Sequence, residues 1–86
     1  MKEKEKIIKA FANRRRLEIV KFLKPKREAS VGEIAEHLKL SIKATSKHLG
    51  VLHGANIVEK EQRSLFYFYY LADKQVPVAK AIISNL

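Results

Sequence analysis

The sequence has no cysteine and no tryptophan, two prolines, three glycines, and half as many acidic as basic side chains. Each shortage excludes something. Without cysteine there is no disulfide, no thiolate metal site and no thiol redox switch. Three scattered glycines make no phosphate-cradling loop. The one aspartate is Asp73, and no histidine stands in a recognised spacing with a carboxylate, so an enzyme's convergent acid, base or nucleophile is missing. No apolar run approaches ~18 residues. The opening MKEKEKIIKAF puts charges where a signal peptide needs an apolar stretch, so a soluble, cytoplasmic protein is expected.

What is present is a chain of 86 residues, 47% apolar, which is the size of one domain with one small core. A domain this short buries only about 60% of its unfolded surface, so a partner chain would add stabilising area. Eighteen Lys and Arg against nine Asp and Glu leave a net charge of +9. That balance points to a polyanion, nucleic acid first and an anionic membrane second. The charge is uneven. Residues 1–27 hold eleven basic and three acidic groups, whereas residues 28–64 balance at five each. No acidic residue falls between His37 and Val58, a window that contains Lys39, Lys43 and Lys47. A surface that faces phosphates needs such a gap.

Periodicity organises the chain into short helices. Ile7, Ile8 and Phe11 share helical spacing in a first helix over 2–12, and Asn13 can cap a second from Arg14 to Lys24, which Pro25 stops. Leu17, Val20 and Leu23 mark its inner face, with Ile19 and Phe22 beside it. Ser30-Val31-Gly32-Glu33 has the form of a capping box opening a third helix through Leu38. After a tight Lys39-Leu40 connection, Ser41 caps a fourth helix from Ile42 to about Ala55, with Leu49 and Leu52 inward and Ala44, Thr45 and His48 at the edges. Asn56 suits a left-handed helix end. The period then changes. Ile57–Glu61 reads as a strand, Gln62-Arg63-Ser64 as a turn, and Leu65–Leu71 as an aromatic-rich strand whose inner face is ambiguous. Asp73 can cap a last helix with Pro77 near its first turn.

Two helices joined by a tight turn, the second starting at a serine cap, make a helix-turn-helix. The second helix must bury one face and offer the major groove small, polar or basic side chains on the other. Lys43, Ser46 and Lys47 lie opposite Leu49 and Leu52, with Ile42 at the tip. With the following hairpin, the order predicts a mainly α winged helix of about five helices and a two-stranded wing, in a single domain over 1–86.

In these stretches the sequence resembles the ArsR family of small dimeric repressors. The resemblance runs through FANRRRLEIVKFL (Phe11–Leu23), SVGEIAEHLKLSIKATSKHLGVLHGANIVEK (Ser30–Lys60) and YFYYLAD (Tyr67–Asp73). Its most specific piece is S-x-x-A-T-S-x-H-L from Ser41 to Leu49, followed by V-L-x-x-A-N-I-V. The resemblance implies a homodimer that reads double-stranded DNA through Ser41, Ile42, Lys43, Ala44, Ser46, Lys47 and His48, helped by Lys60 and Arg63 on the wing. It implies a phosphate role for one of Arg14, Arg15 and Arg16. It also puts the dimer interface on the first and last helices, at Ile7, Ile8, Phe11, Val78, Ile82, Ile83 and Leu86.

Independently, the apolar residues after Pro77 cover more of the last helix than one stripe requires. Departures from the family pattern matter too. Ser30 and Gly32 stand where many members carry a metal-sensing Cys-x-Cys pair. The last segment offers Asp73 but no histidine or glutamate for the family's second site. No metal or cofactor is therefore expected. Gly50 replaces a common lysine, and Glu59 and Glu61 flank a wing that is more often basic.

Competing readings are a winged helix used for protein interaction or RNA binding, and an aromatic stacking platform for single strands at residues 65–71. For His37, His48 and His53, packing or hydrogen bonding is the better expectation than a metal set, since positions 48 and 53 fall on different sides of one helix.

Overall fold

A computed structural model describes residues 2–86 and contains five helices and a small antiparallel sheet. The helices are α1 (Lys2–Phe11), α2 (Arg14–Leu23), α3 (Val31–Leu38), α4 (Ile42–Gly54) and α5 (Pro77–Ser84). The strands are β1 (Ala29–Ser30), β2 (Val58–Arg63) and β3 (Phe66–Leu71), in the spatial order β1-β3-β2.

Most boundaries are set by side chains the sequence offers for the purpose. Asn13 Oδ1 accepts from the amides of Arg15 at 3.0 Å and Arg16 at 3.1 Å, satisfying two orphan donors at the start of α2. Ser30 and Glu33 form the reciprocal box: the Glu33 amide donates to Ser30 Oγ at 3.1 Å, and the Ser30 amide to Glu33 Oε1 at 2.9 Å. Ser41 Oγ accepts from the Ala44 amide at 3.0 Å and opens α4. Lys39, with a φ of 57°, makes the left-handed turn between α3 and α4, while Asn56, at 61°, makes the one that releases α4 into β2.

Two expectations are corrected, and one element is added. Asp73 does not cap α5: the cap position is Val76, with no side-chain bond, and Pro77 takes the first helical position, where a missing N–H costs nothing. The wing hairpin is longer than expected. β2 runs on through Arg63, pairing Arg63 with Phe66, so the reversal falls at Ser64-Leu65 with Ser64 at a φ of 58°. The sheet has a third strand, because Ala29 pairs with Tyr69 and Ser30 with Phe68. Two residues carry no periodicity, so nothing in the sequence marks β1.

The core draws on every element. Ile19, Val20, Leu23, Ile34, Leu49, Leu52, Ile57 and Val58 are fully buried. Ile7 and Phe11 join them, so two of the residues expected at a dimer interface face inward within their own chain. Ile8 stays 51% exposed, while Val78, Ile82, Ile83 and Leu86 are half-buried against the core. Gln75 Nε2 donates to Ile57 O at 2.9 Å and Ala72 O at 3.0 Å, fixing the approach to α5. Among the described residues, no helix is long and apolar enough to cross a membrane.

Candidate nucleic-acid interface

α4 is divided cleanly between core and solvent. Leu49 and Leu52 anchor it from one side, joined by Thr45, which is entirely buried rather than at the edge. The Thr45 hydroxyl has no partner among the described residues. A branched side chain fills that site and leaves its oxygen stranded, at a cost of roughly 1–3 kcal/mol. On the other side Ser41, Ile42, Lys43, Ser46, Lys47 and Gly50 are exposed, and Ala44 and His48 are half-buried. Lys43, Ser46, Lys47 and Gly50 follow the i, i+3, i+4, i+7 spacing of one helical face. Neither lysine forms a salt bridge among the described residues. With no side chain on Gly50 and nothing within 4 Å of where a Cβ would stand, the centre of this face is open backbone.

The wing is different. Arg63 is held by the Glu28 carboxylate and lies 3.7 Å from Glu61 Oε1, with its guanidinium stacked 4.0 Å from the Phe68 ring centre. Its hydrogen bond to Glu28 raises its pKa further above the ordinary arginine value. Lys60 is exposed, its ammonium 5.1 Å from the centre of the Tyr67 ring. The tip is apolar and open, with Leu65 86% and Phe66 62% exposed. Farther down β3 only Tyr69 is buried, while Phe68, Tyr70 and Leu71 are half-covered on both faces, which is why alternation did not reveal the inner side. The strand is packed on the body from Phe68 onward and is not a free stacking platform.

The basic run at 14–16 separates by role. Arg14 and Arg15 are exposed. Arg16 turns inward: its Nε donates to Ala10 O at 2.7 Å and its Nη2 to Lys9 O at 3.2 Å, while Nη1 lies 3.2 Å from His48 Nδ1. Burial first, then the charges of Arg16 and Arg15, lower the pKa of His48. His37 also has a packing role. It stacks on Phe22 with ring centres 4.3 Å apart and sits 3.3 Å from Glu18 Oε2. This pair leaves no sign in the sequence, because it joins α2 to α3 across nineteen positions. The residues that sequence reasoning missed are therefore Glu28, which occupies Arg63, and Arg16 in its inward role.

A buried-faced helix with a basic, acid-free outer face, preceded by a second helix across a tight turn and followed by a hairpin, defines a winged helix-turn-helix DNA-binding domain. Comparison with known proteins places it further. Residues 13–60 match the family described as "Bacterial regulatory protein, arsR family". The chain is 39% identical over 80 residues to the transcriptional activator HlyU of Vibrio cholerae, covering 93% of this chain and 70% of that protein. It is 30% identical over 76 residues to the arsenical resistance operon repressor of Bacillus subtilis, covering 88% of this chain and 72% of that one. Among solved structures, the homodimeric winged helix-turn-helix DNA-binding domain of a possible ArsR-family regulator from Mycobacterium bovis superimposes with a TM-score of 0.84. That match has 26% identity and covers 98% of this chain and 75% of that one. The chain belongs to the ArsR family of transcriptional regulators.

Proposed function

We propose that the protein binds duplex DNA as a homodimer and represses transcription by occupying its operator. The observation that carries this reading is the outer face of α4, where Lys43, Ser46 and Lys47 are exposed, the two lysines have no carboxylate partner among the described residues, and the inner face is fully buried. Each α4 enters a major groove, and the two half-sites lie about one helical turn, ~34 Å, apart. Repression is the proposed sign because occupancy alone can block transcription.

The second copy docks on α1 and α5. Exposed Ile8 and Val76 and half-buried Val78, Ile82, Ile83 and Leu86 leave apolar surface there. A groove of about 540 Å³ lined by Glu3, Lys4, Ile7, Val76, Pro77 and Val78 lies between these helices. The homodimeric neighbour from Mycobacterium bovis supports the assembly.

Gel shifts with genomic duplex fragments, single-stranded RNA and competitor test the reading. Duplex preference with a two-fold footprint is expected, and preference for RNA would favour the alternative module. Ile8→Asp, which leaves the core intact, should lower dimerisation and DNA affinity together, because two half-sites need two linked heads. Sedimentation at micromolar concentration checks it, and a monomer that binds the operator at full affinity would contradict the dimer.

A further inference from the structure

The guanidinium of Arg16 joins two helices that the proposed function uses for different tasks. From α2 it reaches the last carbonyls of α1, Ala10 O at 2.7 Å and Lys9 O at 3.2 Å, and the ring of His48 on α4 at 3.2 Å. Carbonyls at a helix C-terminus lack intrahelical donors and carry partial negative charge, so they hold a cation well. Arg14 and Arg15, on the same turn, are exposed and make no such contacts among the described residues.

This arrangement dictates the state of the imidazole. Arginine is a donor only and does not lose its proton in proteins. The ring atom facing it, Nδ1, must therefore be the acceptor, and the proton of the neutral ring sits on Nε2. An imidazolium would set N–H against N–H. The charges around the ring oppose it as well. Arg15 and Arg16 face it from α2, and α4 itself contributes only Lys43 and Lys47 nearby in sequence, with no acidic residue between His37 and Val58. From α1 come carbonyls, while the Lys9 ammonium pairs with Glu5 at 3.5 Å. Nε2 has no protein partner among the described residues. Unlike Thr45 Oγ1 it is not a buried orphan, so it opens to solvent.

We infer that Arg16 is a positioning residue that locks His48 in its Nε2-protonated tautomer, so that the edge of α4 presents a hydrogen-bond donor and never an acceptor. For its consequence the inference rests on the DNA-binding reading. A donor there donates to phosphate oxygens, purine N7, guanine O6 or thymine O4, and disfavours the amino groups of cytosine and adenine. The same guanidinium holds the C-terminal end of α1, so its lock is set from the helix proposed to dimerise.

Long-range ¹H–¹⁵N NMR on the full chain, free of DNA, at about pH 7.5 where an ordinary histidine is neutral, reads the tautomer directly. A pyridine-type Nδ1 and a pyrrole-type Nε2 for His48 are expected. The reverse pattern, or an averaged pair, overturns the inference with no variant needed. Arg16→Met keeps much of the stem but removes every donor, and should turn the locked pattern into an averaged one. A locked pattern that survives in this variant assigns the tautomer to something other than Arg16 and also overturns it.

On a bound duplex, His48→Met should weaken affinity about tenfold, the scale of one hydrogen bond. His48→Gln, whose amide can both accept from Arg16 and donate outward, should recover most of that loss. Equal affinity for the Met variant and the unmodified protein would refute the outward donor. If the unmodified protein binds no duplex at all, the DNA-binding reading fails while the tautomer result stands on its own.

Discussion

α4 and the wing each bring two cations to the face proposed to meet DNA, and the two pairs are not equivalent. On α4, Lys43 and Lys47 stand exposed with no acidic neighbour. On the wing, Arg63 is gripped by Glu28 and flanked by Glu61, and both Lys60 and Arg63 lie over aromatic rings. In the proposed complex a lysine on α4 would exchange only water for phosphate. Arg63 must first give up a carboxylate, so its net gain on meeting a phosphate is the difference between two charge-assisted contacts. Formal charge counts what the chain carries; only the structure says how much of it is free.

The sharpest way to break this comparison is to remove the free pair. Lys43→Ala with Lys47→Ala should weaken duplex binding roughly 10–100-fold, given ~1–3 kcal/mol for a lysine that reads a guanine. If the lysines touch only phosphates, the loss should be independent of sequence, and the salt slope should shallow by about one unit per lysine in each subunit. The fold should survive, since both positions are exposed, and far-UV circular dichroism checks that. Unchanged affinity of the double variant across several salt concentrations would sink α4 as the recognition helix.

The difference between these regions also separates what was legible in the sequence from what was not. α4 was readable because everything that shapes it is local: the Ser41 cap, the Leu49 and Leu52 spacing, the acid-free window and the Asn56 exit. The capping box at Ser30 and the cap at Asn13 were readable for the same reason. The wing's chemistry was not, because Glu28 and Arg63 are far apart in the chain and meet only when the two-residue β1 pairs with β3. Arg16 likewise looked like one-third of a basic run. Its inward turn depends on α1 ending beside it and α4 crossing behind. Ile7 and Phe11 illustrate the opposite limit: helical spacing shows that a face is apolar, but not whether it meets its own chain or a second one.

A smaller effect tests whether the wing's cations are truly occupied. Glu28→Gln removes the negative partner and leaves Arg63 its donor fork, so duplex affinity should rise by about 2–5-fold, with a steeper salt dependence. Arg63→Gln should cost less than either α4 lysine. Neither change should move stability far, because the pair is solvent-exposed and its attraction is screened by water and salt. Fluorescence anisotropy against one operator fragment measures both variants. An Arg63→Gln loss as large as that of the double lysine variant would erase the distinction between helix and wing.

The smallest expected effect lies within α4 itself, at Gly50. A glycine inside a helix is less favourable than alanine by up to about 1 kcal/mol, because the unfolded chain loses more freedom when it orders. Gly50 has an ordinary helical φ, and an added Cβ would meet nothing within 4 Å, so Gly50→Ala should stabilise the domain by about 0.5–1 kcal/mol in chemical denaturation. Its effect on DNA binding then discriminates between two uses of the open backbone. If the face meets the groove only through Lys43 and Lys47, affinity should stay the same. If a phosphate or a base edge approaches the helix at Gly50 itself, one methyl group will keep it away, and affinity should fall even as stability rises. The exposed face, with Gly50 one turn past Ser46 and Lys47, favours the second outcome, since short side chains at the centre of a recognition surface are what allow a helix to lie close. A variant that is more stable yet binds less tightly would therefore locate the point of closest approach between α4 and DNA.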